Sequence, residues 1–393
     1  MRSDGDAPPR TNRLSVLHLT GARADDGGIL SVLRALQEST SQAVAHRVWV
    51  QEAFQQSRSP TLDLIRSRFA LDETSGPLRF LIRALRAWPD LEQLLVANPD
   101  WIVHAHTRGT FPLAAWLSRR RPVLFTQHAY ARRTGMYRRV ADWPGMRTLL
   151  LTPAMARHYG LLERPGKVDI LSECALERWF QSPLPVRAPL ASDRTLNLVG
   201  LGNLVRWKRW NLVLDAVARL PESVRGRLRF QIWGPTPPDE DARRFESELR
   251  HRLEQEGLSR WVSIPGPTRQ PAEVLTGADA FLLPSTNEPC SVALIEALAS
   301  GLPVIASRSG GNPDLVREGV TGLLFEPESA ADLAAQLTRL ASGSVAFASP
   351  KALRESVAHR SASVVGARHL QIYQELAAER SASKTVVLTA DGR

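Results

Sequence analysis

At 393 residues the chain exceeds one ordinary core and suggests two domains of common size. With 43% hydrophobic and 23% charged residues it is neither disordered nor fibrous, and no apolar run approaches the ~20 residues of a membrane span. The net charge of +10 and a pI near 10.4 fit acidic ligands such as nucleotides, nucleic acid or an anionic membrane surface, but only four of the 50 basic residues are lysine, an arginine bias that a GC-rich genome would also produce.

The opening segment, MRSDGDAPPR, carries two Asp and two Pro ahead of any apolar stretch, unlike a secretory leader, so a cytoplasmic protein is expected. The apolar runs 14–20, 46–50, 101–106, 122–128 and 148–153 read as strands separated by helix-like segments, a βαβ pattern that implies a mainly parallel sheet. Residues 181–195, QSPLPVRAPLASDRT, have three prolines and no periodicity and read as a linker. The pattern then restarts with strands at 196–202, 228–234, 261–266, 280–285, 303–307 and 322–325. This assigns 1–180 to a first Rossmann-like domain, 196–345 to a second, 352–378 to a helical segment and 380–393 to a poorly ordered tail. Cys174 and Cys290 match no metal or redox spacing and are expected to be reduced and structural. In doubly wound sheets ligands lie beyond the carboxyl ends of the strands, so the cleft between the domains is the expected site.

Glu296 is the sequence's sharpest anomaly. In a helix beginning near Ser291 it projects about 40° from Val292, within the apolar arc, where an unpartnered carboxylate is costly. Glu288 lies eight residues earlier, just after the strand at 280–285. The E-x7-E spacing, followed by ALASGLPVIAS and SGGNPDLVREGVTGLLFEP, resembles retaining glycosyltransferases of family 4, which have the two-domain GT-B fold. The resemblance implies that Glu296 binds the ribose of a sugar nucleotide and Glu288 the transferred sugar. Two hydroxyl donors would then satisfy the carboxylate. The alternative is an ion pair with an arginine.

In that family a lysine six residues after a glycine turn contacts the diphosphate, and Lys208, after Gly202, matches. The family arginine beside that glycine is replaced by Asn203, so Arg206 or Arg209 is expected to supply the second cation, or the leaving group is held more weakly. Backbone N–H groups of Cys290, Ser291 and Val292 at the helix start are expected to help hold the diphosphate. Gly27 and Gly28 resemble a paired glycine near the donor phosphate or acceptor, although turn chemistry alone also explains such a pair. His128 resembles the family histidine near the reaction centre; His104 and His106 read as strand-end packing or hydrogen-bonding residues.

Two other motifs fail on context. Asp239-Glu240-Asp241 has the D-x-D spacing of metal-dependent glycosyltransferases of another fold, but it opens a charged helix, where acids are usual. VGLGNL lacks the third glycine of a dinucleotide fingerprint. The resemblance therefore implies a metal-independent, retaining hexosyltransferase with a nucleoside diphosphate sugar as co-substrate and no separate cofactor. The alternatives are a catalytically weak sugar-nucleotide-binding protein or a basic nucleic-acid-binding protein; nucleic acid is not expected as a partner, since the basic residues form no recognised module. Residues 130–147 combine five arginines with Tyr130, Tyr137 and Trp143 on the acceptor-side domain, a composition suited to an anionic membrane surface as well as to a solvated basic loop. A saccharide or lipid-linked acceptor and peripheral membrane association are the corresponding expectations.

Overall fold

The computed structural model describes residues 13–22, 24–25, 27–71, 77–186 and 194–390, of which 77 and 383–390 are described by backbone alone. The first domain runs β1 (Leu14–Leu19), α1 (Gly27–Thr40), β2 (Val44–Gln51), β3 (Asp63–Ser67), α2 (Pro77–Ala97), β4 (Ile102–Ala105), α3 (Phe111–Leu117), β5 (Val123–Gln127), α4 (Gly135–Ala141), β6 (Met146–Leu150), α5 (Pro153–Tyr159), β7 (Val168–Ile170) and α6 (Arg178–Gln181). The second runs β8 (Leu196–Leu201), α7 (Trp210–Arg219), α8 (Glu222–Arg225), β9 (Leu228–Trp233), α9 (Glu240–Gln255), β10 (Val262–Gly266), α10 (Pro271–Thr276), β11 (Ala280–Leu283), α11 (Val292–Ala299), β12 (Val304–Ser307), α12 (Asn312–Leu315), β13 (Gly322–Phe325), α13 (Ala330–Ala341) and α14 (Pro350–Ser356), and α15 (Ala362–Ala390) follows.

The strands form a seven-stranded sheet, β3-β2-β1-β4-β5-β6-β7, and a six-stranded sheet, β10-β9-β8-β11-β12-β13, with parallel pairing throughout. Helices cover both faces, so central strands such as β4, β5, β11 and β12 are buried along their whole length, which is why they read as unbroken apolar runs. The edge strands β3 and β7 are polar, mostly partly exposed and absent from the sequence reading. Strand order reverses between β1 and β4 in one sheet and between β8 and β11 in the other. The loops leaving these four strands open at the topological switch points, where ligands bind in such sheets.

One apolar cluster joins the domains, running from Val16 and Leu36 through Leu149 and Cys174 to Ile295 and Leu298. Of the expected linker, 182–186 and 194–195 carry no helix or strand, and 187–193 lie outside the described residues. The C-terminal stretch differs more from expectation. Helix α15 leaves the second domain and lies along α1, burying Val365, Ile372, Tyr373 and Leu376. Arg368 and Arg147 both bind Asp169 (2.9 and 2.6 Å), and Arg147 also reaches Glu375 at 2.8 Å. The helix continues through 380–390, which the sequence reading left to a poorly ordered tail; 391–393 lie outside the described residues.

Candidate active site

A 3₁₀ turn at Arg206–Lys208 follows β8, with Val205 extended before it and Arg209 left-handed after it (φ 56°). The N–H of Thr286 donates to the carbonyl of Trp207 at 2.9 Å, stitching this turn to the loop after β11. Lys208 therefore meets Glu288: its Nζ donates to Oε2 at 2.7 Å, and both side chains are buried. A Cβ at Gly202 would stand 3.3 Å from Cε of Lys208, so the glycine keeps the lysine stem's path clear. The backbone of Glu288 is clamped from the other side. Gly311 N–H donates to its carbonyl at 2.7 Å, and Gly310, at φ +61°, packs so closely that a Cβ would lie 2.7 Å from the Glu288 nitrogen. The SGG segment at 309–311 thus acts sterically, by seating Glu288.

Glu296 occupies the second turn of α11, whose cap, Ser291, accepts from Leu294 N–H. Burial pushes its carboxyl up to about 7, while Arg178, Arg58 and the indole N–H of Trp179 pull the other way. Among the described residues neither arginine forms an ion pair with it. The carboxylate is thus under-compensated, as expected of a group waiting for donors rather than one already paired. Gly28 lies across the cleft from the start of α11; a Cβ there would be 3.7 Å from Val292 Cγ2. This places the expected Gly28, Ser291 and Val292 at one seam between the domains. Cys290 is buried there, its thiol pushed up to about 12 by burial, and Cys174 is likewise buried and raised, so neither thiol is an activated nucleophile.

The two expected helper cations are not brought to Lys208. Arg206 turns to α9, bidentate to Glu248 (2.8 and 2.9 Å) and bonded to Asp241 at 3.0 Å, while Arg209 pairs with Glu328. The acids that misleadingly spelled D-x-D find ordinary uses here. Asp239 caps α9 by accepting from Ala242 N–H at 2.9 Å, and Asp241 anchors Arg206. The sequence reading located the lysine but could not see that its neighbours were committed to another element.

His128, at the end of β5, donates Nδ1–H to Glu173 Oε1 at 2.7 Å, a partner sequence reasoning missed. Its Nε2 meets His106 Nδ1 at 3.2 Å; His106 Nε2 meets His18 Nδ1 at 2.9 Å; His18 Nε2 meets His46 Nδ1 at 2.8 Å; and His46 Nε2 meets Thr40 Oγ1 at 2.7 Å. Burial lowers His18 and His106 well below their ordinary range and His46 to about 3, which keeps these rings neutral. Because a carboxylate only accepts, His128 donates from Nδ1 to Glu173; at the far end Thr40 Oγ1 lies 2.7 Å from both the Leu36 carbonyl and His46 Nε2 and has one proton to give, and His18, His46 and His106 share one tautomer because each bond between them joins the Nδ1 of one ring to the Nε2 of the next. Both ring nitrogens of His128 are thus taken, and a sugar hydroxyl reaches one only by displacing Glu173 or His106. His18, His104 and His106 also bring ligand nitrogens within 4.8 Å of one another, the spacing of a possible metal site. Their nitrogens already have partners, those of His104 being Tyr373 (2.9 Å) and Thr126 (2.6 Å), so hydrogen bonding accounts for the cluster.

Two parallel-sheet domains that meet at their switch points over this lysine and pair of acids define a GT-B architecture. Residues 187–359 match the family model of the glycosyl transferases group 1. The chain is 31% identical over 291 residues to a D-inositol 3-phosphate glycosyltransferase of Corynebacterium glutamicum, covering 70% of this chain and 63% of that protein. It is 32% identical over 205 residues to the putative colanic acid biosynthesis glycosyltransferase WcaL of Escherichia coli, covering 50% and 48% respectively. The matched spans therefore fall short of two thirds of these relatives' lengths. Among solved structures, sucrose-phosphate synthase from Thermosynechococcus elongatus superposes with a TM-score of 0.77 at 19% identity, over 93% of this chain and 100% of the other. Anabaena HepE in complex with UDP and glucose gives 0.69 at 16%, over 92% and 100%. At these identities the likeness is one of fold.

Proposed function

We propose that the chain is a metal-independent, retaining glycosyltransferase that moves a hexosyl group from a nucleoside diphosphate sugar to a saccharide or lipid-linked acceptor. The observation that carries this reading is the buried Lys208–Glu288 pair, which joins the loops after β8 and β11, together with the under-compensated Glu296 in α11, the helix that follows Glu288. Glu296 would accept from the ribose hydroxyls, and Glu288 would contact the sugar. Lys208, held beside the sugar carboxylate before donor binds, would turn its ammonium to the diphosphate as charge grows there. Departure of the diphosphate with front-face attack leaves the departing phosphate to take the acceptor proton, so no separate protein base is assigned. His128 would contribute from the facing domain by its ring edge and main-chain carbonyl.

Relatives named for inositol phosphate and for colanic acid support a polar, hydroxyl-rich acceptor, and the fold neighbour seen with UDP and glucose supports a nucleotide-sugar donor. Exposed Arg132, Arg133, Arg138 and Arg139 favour an anionic acceptor or surface. The aromatic half of that expectation changes. Tyr137 packs on Phe111 with centroids 4.4 Å apart, and Trp143 lies under Arg119 at 4.6 Å, so these rings serve packing. Incubation with a panel of UDP-, GDP- and ADP-sugars, measuring binding and slow donor hydrolysis, tests the reading. Selective binding with turnover is expected, and failure to bind any sugar nucleotide would overturn it. A weak, non-transferring binder is the second reading. It is favoured by Asn203 and by the commitment of Arg206 and Arg209 elsewhere, and binding without turnover would establish it.

A further inference from the structure

Helix α2 has two apolar faces where a surface helix ordinarily has one. Ala84, Ala87, Leu91 and Leu95 are buried against the first sheet, with Trp88 edge-on to Trp116 at 5.6 Å between centroids. Leu78, Leu81, Ile82 and Leu85 are exposed, at 70%, 41%, 41% and 55%. At 100° per residue these four fall within an arc of about 100°, a continuous stripe directed away from the core. Val96, 75% exposed, lies at the same angle three turns on, but Pro89 and Glu92, the latter paired with Arg120, interrupt the arc, so the apolar stripe is that of the first turns. Arg79, Arg83 and Arg86 fill the adjoining arc, and residues 77–88 contain no acid.

Position adds to composition. In a parallel sheet each crossover helix begins beside the carboxyl edge, so the first turns of α2, after β3, stand on the cleft side of the domain. Helix α4, after β5, starts on the same side and carries exposed Met136 (60%) with exposed Arg138 and Arg139. No helix among the described residues is long and apolar enough to cross a membrane, so such a stripe acts by lying on a surface. A second copy of the chain is a poor cover, since stripe against stripe would set like-charged arginine fringes together. An anionic bilayer meets both halves at once, acyl chains taking the leucines and headgroups the guanidinium groups.

We propose that the α2 stripe, fringed by Arg79, Arg83 and Arg86, docks the first domain on an anionic lipid bilayer and so holds the open cleft against membrane-borne acceptors. This deepens the lipid-linked acceptor reading above and rests on it. The test is co-sedimentation of the full chain with phosphatidylglycerol–phosphatidylcholine vesicles and with phosphatidylcholine vesicles, at low and physiological salt. Wild type is expected to bind the anionic vesicles at least tenfold better than the neutral ones. The exposed pair Leu81→Ser/Leu85→Ser should weaken anionic binding about tenfold at both salts. The triple Arg79→Gln/Arg83→Gln/Arg86→Gln should weaken it chiefly at low salt, because screened charge contributes less at high salt. Donor binding and hydrolysis should be unchanged in both variants, which shows that they are folded and separates this inference from the reading beneath it. Absence of vesicle binding, equal binding to both vesicles, or wild-type binding by the leucine pair overturns the proposal. So does a concentration-dependent dimer that the leucine pair abolishes in light scattering, since the stripe's occupant would then be a second copy.

Discussion

Replacing Glu296 by Gln should make the free protein more stable and the donor bind more weakly, with opposite pH dependences that can be worked out from its position. Its carboxyl lies at about 7 in the folded chain against an ordinary 4.5. Between those values the native state keeps a proton that the unfolded chain has released, so stability falls as pH rises and the loss is complete above the folded value. The separation amounts to ~3 kcal/mol at full ionisation, an upper figure because Glu296 is only partly covered. Denaturant melts of wild type and Glu296→Gln should therefore coincide near pH 4.5 and diverge steadily to about pH 8, with Gln the more stable. Donor binding should reverse the sign. Ribose hydroxyls favour the ionised form, which is about a tenth of the population at pH 6 and about nine tenths at pH 8, so sugar-nucleotide affinity should rise ~10-fold across that interval in wild type and stay nearly flat in the Gln variant. At pH 8 the Gln variant should bind donor more weakly by 1–3 kcal/mol, roughly 5- to 150-fold. Calorimetric titration with an intact UDP-sugar measures both effects. Parallel stability profiles, or donor affinities that track each other with pH, would remove Glu296 from the ribose site.

Lys208→Met should abolish turnover and also destabilise the fold by about 3–5 kcal/mol, because it strands Glu288 as a buried unpaired charge. The double variant Lys208→Met/Glu288→Gln should recover most of that stability in chemical denaturation without recovering transfer, and recovered transfer would contradict the roles given to the pair. Arg206→Ala should leave donor affinity and turnover within about twofold of wild type, since its guanidinium serves α9; a large loss of turnover would return it to the diphosphate site. Nitrogen-15 spectra of the imidazoles should show one shared neutral tautomer for His18, His46 and His106, since each bond of the row pairs the Nδ1 of one ring with the Nε2 of the next. Glu173→Ala should redistribute His128 between tautomers and alter kcat more than donor KM, and an unchanged His128 spectrum would refute the positioning role of Glu173.

What could be read without coordinates was whatever depends on local periodicity. Strands β8 to β13 were all anticipated: β8, β11 and β12 are central and almost wholly buried, the edge strand β13 is buried along its length, and β9 and the edge strand β10 alternate buried with more exposed residues. The runs for β3, DLIRS, and β7, VDI, belong to edges with one protected side at most, and their polar residues hid them. Lys208 and Glu288 were visible as separate motif residues. Their contact was not, since it depends on the tie between Thr286 and Trp207 and on the packing of Gly310 against Glu288. The histidine row was hidden for a different reason. Its members sit on four neighbouring strands whose registers set His18 beside His104 and bring His46 and His128 to flanking positions, and strand order is a non-local property. A signal was nonetheless present: histidines recur near the ends of four of the first five strand-like runs, a placement that invites asking whether those runs are neighbours.

The return of α15 to the first domain makes that domain discontinuous in sequence, with the whole sugar-nucleotide half spliced between two of its parts. The chain therefore passes between the halves twice, and the two passages are tied together where Arg354 Nη2 donates to the Ser182 carbonyl at 2.7 Å. The same splice means that residues 1–186 do not constitute a folding unit. Cut off there, α1, β1 and β4 would lose the cover of Ile372, Tyr373 and Leu376, and His104 Nδ1 would lose the Tyr373 hydroxyl, so a fragment meant to isolate the acceptor side must carry α15 back in, joined across the gap by a short linker.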